Sequence, residues 1–263
     1  MDVLSTLWQT FFDVDAMRTA LPELLRVGLP NTLLLALTSA VVGTVLGMVL
    51  AVAGLSRSRW LRWPARVYTD VFRGLPAAVT ILLIGVGLSP LGLRLWGPNP
   101  YPLGILALSL IAGAYIGEIF RSGIQSVDAG QLEAARALGF SRPLGMRLVV
   151  IPQGVRRVLP ALVNQLIALV KESSLVYFLG LLASQRDLFR IGQDAAANTG
   201  NESALLLAGV LYLVITVPLT HAVNAIDRRL RDGRRADGAE RVDDDDPVGP
   251  AAPSLELAEE GHR

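Results

Sequence analysis

The run GLPNTLLLALTSAVVGTVLGMVLAVAGL, Gly28–Leu55, contains no Asp, Glu, Lys or Arg. It is longer than the ~20 apolar residues with which a helix crosses the hydrocarbon core of a bilayer. Further long stretches with little or no charge follow it along the chain. They are Gly74–Leu93, Leu95–Gly117, Val158–Gln185 and Ser203–Ile226. The sequence therefore predicts an all-α integral membrane protein with five spans.

The composition agrees with a membrane protein and excludes several kinds of site. Hydrophobic residues make up 52% of the 263 residues, and the mean hydropathy of +0.46 is above the norm for soluble proteins. The chain has no cysteine, which excludes disulfides and thiolate ligands. Its two histidines, His221 and His262, are too few for a histidine metal cluster. We therefore expect no catalytic centre, no metal site and no cofactor on this chain.

Two of the predicted spans contain an interruption. Pro98, Pro100 and Pro102 disfavour a helix interior, so the third helix should begin near Leu103, after an irregular external loop. The adjacent charges Lys171-Glu172 interrupt the fourth span.

The distribution of arginine predicts the orientation of the spans, because short cytoplasmic loops retain an excess of basic residues. The loops on one side of the membrane carry most of the arginines. These are Arg57, Arg59, Arg62, Arg66, Arg121, Arg136, Arg142, Arg147, Arg156, Arg157, Arg228, Arg229, Arg231, Arg234 and Arg235. The opposite side receives Arg18, Arg26, Arg94, Arg186 and Arg190. We therefore predict a multi-pass protein of the plasma or inner membrane, with its N-terminus outside and its C-terminus in the cytoplasm.

The chain outside the spans divides into two terminal segments. Residues 1–27 are predicted to form an extracytoplasmic or interfacial segment, because Leu4–Leu25 mixes apolar residues with interspersed charges. Residues 28–230 form the transmembrane domain. Residues 231–263 contain four consecutive aspartates together with Pro, Gly and Ala, which predicts a disordered cytoplasmic tail.

The second predicted cytoplasmic loop contains a short helix. Strong helix formers occupy Gln131–Leu138, and Gly139 suits a left-handed helix stop. Ser141 and Pro143 are start signals for the next helix. From composition alone, the segment is either a docking helix for another protein or a simple turn between spans.

Several residues of this loop fit the docking interpretation. The small side chains of Ala134, Ala135 and Ala137 would let a partner approach the backbone closely. Glu133 and Arg136 could form polar contacts at the rim of such an interface. These features alone do not identify the partner.

Short motifs follow one another in a fixed order along the chain. They are Phe72–Pro76 (FRGLP), Gly117–Ile124 (GEIFRSGI), Gly130–Ala135 (GQLEAA), Leu138-Gly139, Ile151–Gln153 (IPQ), Leu159-Pro160 and Lys171–Leu175 (KESSL). In order and spacing, from about Gly28 to Arg229, the chain resembles the permease subunits of ATP-binding-cassette importers for polar amino acids, the histidine/glutamine/glutamate/arginine type. Several motifs in order are more specific than one short match.

The resemblance implies the five-span type I importer permease fold, alternating access, and a loop that serves as the coupling helix for a cytoplasmic ATPase. The implied coupling residues are Gln131, Glu133, Ala134, Ala135, Arg136, Gly139 and Phe140. Other implied partners are an extracytoplasmic solute-binding protein, a second permease copy or sister permease, and membrane lipid; no nucleic acid is expected. The chain lacks the Gly-x-x-x-x-Gly-Lys-Ser/Thr phosphate loop, so ATP and Mg should be bound by the ATPase and not here.

Arg73 and Glu118 are predicted to lie within spans, near the cytoplasmic side. Charges there are costly and need a partner or an aqueous cavity. Three interpretations remain open: an Arg73–Glu118 ion pair between helices, local pairing of Glu118 with Arg121 one turn on, or a gate or substrate contact.

Lys171 and Glu172 should lie near the midplane, about eleven residues beyond Pro160. Importer sites lie at this depth, and an amino-acid zwitterion needs a group of each sign. We therefore take both as candidates for the substrate pathway, with Asn164 and Ser173 beside them. The alternative is that they pair with other helices.

Three other functions compete with an ATP-driven permease. An ion-coupled secondary transporter or channel would need intramembrane carboxylates, and Glu118 and Glu172 supply only two. A membrane-embedded enzyme would need a nucleophile and base or a metal constellation, which the spans lack. A membrane scaffold without transport activity is the third.

Overall fold

A computed structural model describes the backbone of residues 3–243 and the side chains of residues 3 and 6–225. The regular structure of this part is helical. In chain order the α-helices are α1 (Val3–Phe11), α2 (Val14–Glu23), α3 (Leu29–Gly54), α4 (Arg59–Gly74), α5 (Ala77–Gly87), α6 (Ser89–Trp96), α7 (Tyr101–Gln125), α8 (Ala129–Ala137), α9 (Arg142–Gly145), α10 (Ile151–Arg157), α11 (Leu159–Glu172), α12 (Leu188–Thr199) and α13 (Ser203–Asp243). Leu24–Gly28 and Met146–Val150 are π-helical turns, and Ser173–Leu179 and Ala183–Gln185 are 3₁₀ turns.

Helix α7 is the central helix of the bundle. In its apolar stretch 67% of the residues are buried, compared with 28% or less in the other long apolar helices. The outer helices therefore keep apolar faces exposed, which in a membrane contact lipid or another protein.

Helices α3 and α7 pack closely because small residues line their contact. A Cβ placed on Gly43 would lie 2.6 Å from the Cβ of Ala112. A Cβ on Gly47 would lie 2.8 Å from the backbone nitrogen of Gly117. The Gly-x-x-x-Gly pattern of α3 therefore faces a second small residue pattern on α7, as in close helix pairs of membrane proteins.

The spans agree with the predicted ones except at the second. Helical stretches long and apolar enough to cross a membrane are Thr6–Gly54, Tyr101–Gln125, Leu159–Leu179 and Ser203–Ala225 among the described residues. The predicted second span, Gly74–Leu93, is different. Helix α4 precedes it, and α4 and α5 enclose a bend of 106°. The count reaches five only if this bent pair is one broken span.

The bend between α4 and α5 lies at Leu75-Pro76. The residue before a proline disfavours the helical conformation, and Leu75 is extended with ψ 139°. Pro76 also lacks the N–H that a continuous helix needs.

The third and fourth spans have the predicted interruptions. Helix α7 begins at Tyr101, two residues before the predicted start at Leu103, and Pro102 lies in its first turn, where proline is tolerated. Helix α11 ends at Glu172 and continues as the 3₁₀ turn Ser173–Leu179.

The terminal segments differ in how far the structure describes them. Helix α2 and the π-helical turn lead directly into α3, and α2 packs against α12 and α13. The interfacial position of residues 1–27 stays a prediction. Helix α13 extends to Asp243, so the backbone is helical in the first part of the predicted disordered tail. Residues 244–263 of that tail lie outside the described residues.

Candidate functional site

Helix α8, in the predicted docking loop, has capping interactions at both ends. The Asp128 carboxylate accepts a hydrogen bond from the Gly130 N–H at 2.7 Å, which caps the N-terminus. At the other end Gly139 has φ 88°. The Phe140 N–H donates to the Ala135 carbonyl, and the Gly139 N–H donates to the Arg136 carbonyl. This is a complete Schellman motif, so the helix has defined ends.

One face of α8 is anchored to the bundle. Leu132 packs against a small apolar cluster that includes Ile124, Val127 and Val150. The Gln153 amide donates a hydrogen bond to the Gln131 side-chain oxygen at 3.1 Å. The anchoring fixes the orientation of the helix relative to α7 and α10.

Ala135 also belongs to this inner face, which differs from its predicted place in an outer docking surface. Its side chain is only 4% exposed. A Cβ on Gly145 would lie 3.4 Å from the Cβ of Ala135, so the two segments pack closely here. Ala135 therefore supports the helix from below.

The outer face of α8 is exposed and combines charged with apolar groups. Its most exposed large apolar residue, Leu138, is 79% exposed and is absent from the predicted set. Phe140 is 37% exposed. The other exposed residues of the predicted set are Gln131, Glu133, Ala134, Arg136 and Gly139. A solvated loop gains nothing from an isolated leucine at its tip, whereas a docking surface does.

Glu118 pairs with Arg121 on its own helix. The Arg121 Nε donates to Glu118 Oε2 at 2.8 Å, and a second guanidinium nitrogen contacts Oε1. Arg73 lies over the ring of Tyr115, with its Cζ 5.5 Å from the centroid. Of the three interpretations, the structure therefore shows the local pairing.

Arg73 and the Glu118–Arg121 pair line one polar cavity of about 260 Å³ between α3, α4 and α7. Arg66 and Asp70 of α4 also line it, and α11 contributes no lining residue. The predicted pathway residues therefore fall into two groups, one at this cavity and one on α11.

The group on α11 forms a polar stripe beside apolar surface. Asn164 and Lys171 are both exposed and are seven residues apart, so they lie on the same face of the helix. Glu172 is half-buried, and its buried Oε2 has no hydrogen-bond partner among the described residues. Ser173 is buried and donates to the Val170 carbonyl at 2.8 Å, so its hydroxyl is occupied within the helix. Three of these four groups are available to a ligand or a neighbouring chain.

Asp187, at the opposite end of the bundle from α8, was not predicted from the sequence. Its side chain is fully buried and accepts hydrogen bonds from the Arg190 N–H at 2.9 Å and the Tyr212 hydroxyl at 3.3 Å. Burial raises the pKa of this carboxyl from 3.8 to about 6, against the lowering effect of its hydrogen bonds. The Asp187 site ties the start of α12 to α13.

Ion pairs surround this same end of the bundle. Arg186 contacts Glu23 and lies 3.6 Å from Asp194, which joins α2 to α12. The Asn31 side chain donates to the carbonyls of Ser184 and Arg186. The end that carries α12 is therefore fastened by polar contacts between segments far apart in the sequence.

Comparison with known families and proteins gives consistent matches. Residues 43–232 match the family described as binding-protein-dependent transport system inner membrane component. The arginine transport system permease protein ArtQ of Bacillus subtilis is 37% identical, over 83% of this chain and 97% of that protein. The glutamate/aspartate import permease protein GltK of Escherichia coli O6:H1 is 36% identical, over 83% of this chain and 98% of that protein.

Two solved structures have the same architecture. A crystal structure of an amino acid ABC transporter with histidines matches with a TM-score of 0.68 and 31% identity, over 87% of this chain and 99% of that one. The inward-facing MetNI methionine ABC transporter matches with a TM-score of 0.66 and 20% identity, over the same shares of the two chains, and supports the fold alone. The all-α importer permease fold is therefore confirmed.

Proposed function

This chain belongs to the family of binding-protein-dependent transport system inner membrane components and is a permease subunit; we propose that it moves a polar amino acid by alternating access, with energy from a separate ATPase. The cargo is supported by relatives named for arginine, for glutamine and for glutamate/aspartate. It is also supported by Lys171 and Glu172, which offer a group of each sign to a zwitterion within the membrane.

The partners follow from the two ends of the bundle. The end that carries α8 also carries most loop arginines, so we assign it to the cytoplasm and give it the ATPase, which binds ATP and Mg. The end that carries α12 then faces outside and receives cargo from a solute-binding protein. The exposed apolar faces of the outer helices suit a second copy or sister permease. On this view the chain itself is no enzyme and holds no cofactor.

The capped and anchored helix α8 is the observation that carries the coupling proposal. ATP-driven closure of two ATPase subunits must reach the spans through a rigid contact, because a flexible loop would absorb the movement. Helix α8 has fixed ends, a fixed inner face and an exposed outer face with Leu138 at its tip. Ala135 then supports this contact and does not take part in it.

Cross-linking tests the ATPase contact directly, because the chain has no cysteine of its own. We would introduce Leu138→Cys, purify the permease with the ATPase encoded beside it, and add a short thiol-to-amine cross-linker. We expect a permease–ATPase product that changes in yield with ATP. The matched control is Leu93→Cys in α6, which is 59% exposed. Equal cross-linking of the two variants would reject the docking surface.

Charge reversal tests the function of the same surface. We expect Glu133→Arg to abolish the stimulation of ATP hydrolysis by cargo-loaded binding protein while the protein still inserts and purifies normally. Glu133→Gln is the milder companion and should retain part of the stimulation. Unchanged stimulation in Glu133→Arg contradicts the proposal.

Uptake assays test the pathway residues on α11. We expect Lys171→Gln and Glu172→Gln each to lower uptake of a polar amino acid more than tenfold, because each removes one partner of the zwitterion. Arg73 and Glu118 remain candidates for a gate at the polar cavity. The control is Arg94→Gln, which changes an exposed charge on α6. Normal uptake in both α11 variants removes them from the pathway, and uptake that persists without the ATPase would support an ion-coupled transporter.

A further inference from the structure

A large groove lies beside α8, distinct from the polar cavity and from α11. It measures about 640 Å³, within the range of small-molecule sites. Its walls come from the end of α3, the turn after α3, helix α9 and the π-helical turn Met146–Val150. Almost all of the lining is apolar, with Val49, Val52 and Leu61 strongly exposed. An apolar groove of this size at the end of a span needs an occupant.

Two arginines give the groove a charged end. Arg57 and Arg142 both line it, and both are exposed. Neither guanidinium takes part in an ion pair within the part of the chain whose side chains the structure describes. The groove therefore offers positive charge next to an apolar trough, which is the pattern of an anionic amphiphile's binding site.

Tryptophans beside the groove indicate its depth in the membrane. Trp60 and Trp63 of α4 are 89% and 70% exposed. Exposed tryptophans collect at the level of lipid headgroups, where their rings are half in apolar and half in polar surroundings. The groove thus opens at the headgroup level, with its apolar walls on the hydrocarbon side.

We propose that this groove binds one anionic phospholipid, with its phosphate between Arg57 and Arg142 and an acyl chain along Val49 and Val52. Basic pockets between membrane helices bind anionic headgroups, and each arginine near the surface contributes about fivefold in affinity. The two arginines together then account for about thirtyfold.

The bound lipid would also contact the support of α8. Leu55, Ile124, Met146 and Ile151 line the groove and belong to the apolar cluster that holds Leu132. The lipid therefore adds packing to the same cluster from its open side, and its loss would loosen the anchoring of α8.

Native mass spectrometry of the full-length permease purified in detergent tests this proposal. We would titrate phosphatidylglycerol and phosphatidylcholine with identical acyl chains and compare their affinities. We expect tighter binding of phosphatidylglycerol and a loss of about thirtyfold in Arg57→Gln/Arg142→Gln. The charge-matched control, Arg59→Gln/Arg147→Gln, removes two exposed arginines of the same loops that do not line the groove, and should lose much less.

Three further arms separate the alternatives. Arg57→Lys/Arg142→Lys keeps the charge and should retain most of the affinity, which excludes misfolding as the cause of a loss. Val52→Trp fills the trough and should weaken both lipids. Glycerol phosphate, the headgroup without acyl chains, should not compete. Equal affinity for the two lipids, an equal loss in the control, or competition by glycerol phosphate would each overturn the proposal.

Discussion

Asp187 shows how one buried residue can set the pH response of the whole protein. The folded state keeps its proton up to about pH 6, whereas the unfolded chain releases it near pH 3.8. Between these values the unfolded state binds fewer protons, so the free energy of unfolding falls as pH rises from about 4 to 6 and is then constant. The stabilisation lost is about 3 kcal/mol for this fully buried group.

We predict that Asp187→Asn removes this slope. An asparagine oxygen can still accept from the Arg190 N–H and the Tyr212 hydroxyl, so the cap is kept while the titrating group is gone. Thermal unfolding in detergent at pH 4 to 8 checks the result. Asp187→Ala, the control without a cap, should be less stable by about 1 kcal/mol at pH 4. A wild-type slope that survives in Asp187→Asn would assign it to another group.

At the scale of the element, α8 depends on a left-handed residue at its end. Gly139 has φ 88°, and a side chain there is strained even though space is open around it. We predict that Gly139→Val loosens the cap and lowers ATPase stimulation severalfold. Gly139→Asn should stay near wild type, since asparagine tolerates this conformation. Equal activity of the two variants would show that the cap is irrelevant to coupling.

The pair of α3 and α7 is the second element that single residues control. Any side chain at Gly47 meets the backbone of Gly117, which cannot move aside without separating the helices. We predict that Gly47→Ala lowers the free energy of unfolding by about 1–3 kcal/mol. Gly209→Ala in α13 is the matched control, because nothing lies within 4 Å of a Cβ there. Thermal stability in detergent distinguishes the two variants, and equal midpoints would contradict the packing argument.

Local signals predicted the elements better than their contacts. The ends of α8 could be anticipated because a glycine cap acts within a few residues, and the Glu118–Arg121 pair because its members are one turn apart. The inward face of Ala135 depends on its packing near Gly145, which periodicity over one short helix does not reveal. Asp187 was missed because its burial requires contacts with Thr32 and Tyr212 segments far away in sequence.

The broken second span shows the same limit at a larger scale. A continuous apolar stretch predicted one helix from Gly74, whereas Pro76 turns the chain by 106°. The proline was visible, but the amphipathic α4 before it was assigned to a loop because of its arginines. Only packing against α3 and α7 makes that arginine-rich segment part of the bundle.

At the scale of the whole molecule, the two ends of the bundle have different construction. The α12 end is fastened by ion pairs and buried polar groups between distant segments, including Arg186 with Glu23. The α8 end has a small apolar cluster, a groove and a polar cavity. A permease that opens toward the cytoplasm under control of an ATPase needs its less tightly fastened end on the ATPase side.

The orientation of the molecule gives the last prediction, and it tests the coupling, cargo and partner assignments together. The absence of native cysteine allows single-cysteine variants to be labelled with a membrane-impermeant thiol reagent. In spheroplasts we expect labelling of Asn198→Cys, which is exposed on α12, and labelling of Ser58→Cys, in the turn after α3, only once the membrane is permeabilised. Leu138→Cys should behave like Ser58→Cys, because both lie at the α8 end. The reverse pattern would place α8 outside the cell, where no ATPase could reach it, and the arginine distribution would then have failed as a guide to topology.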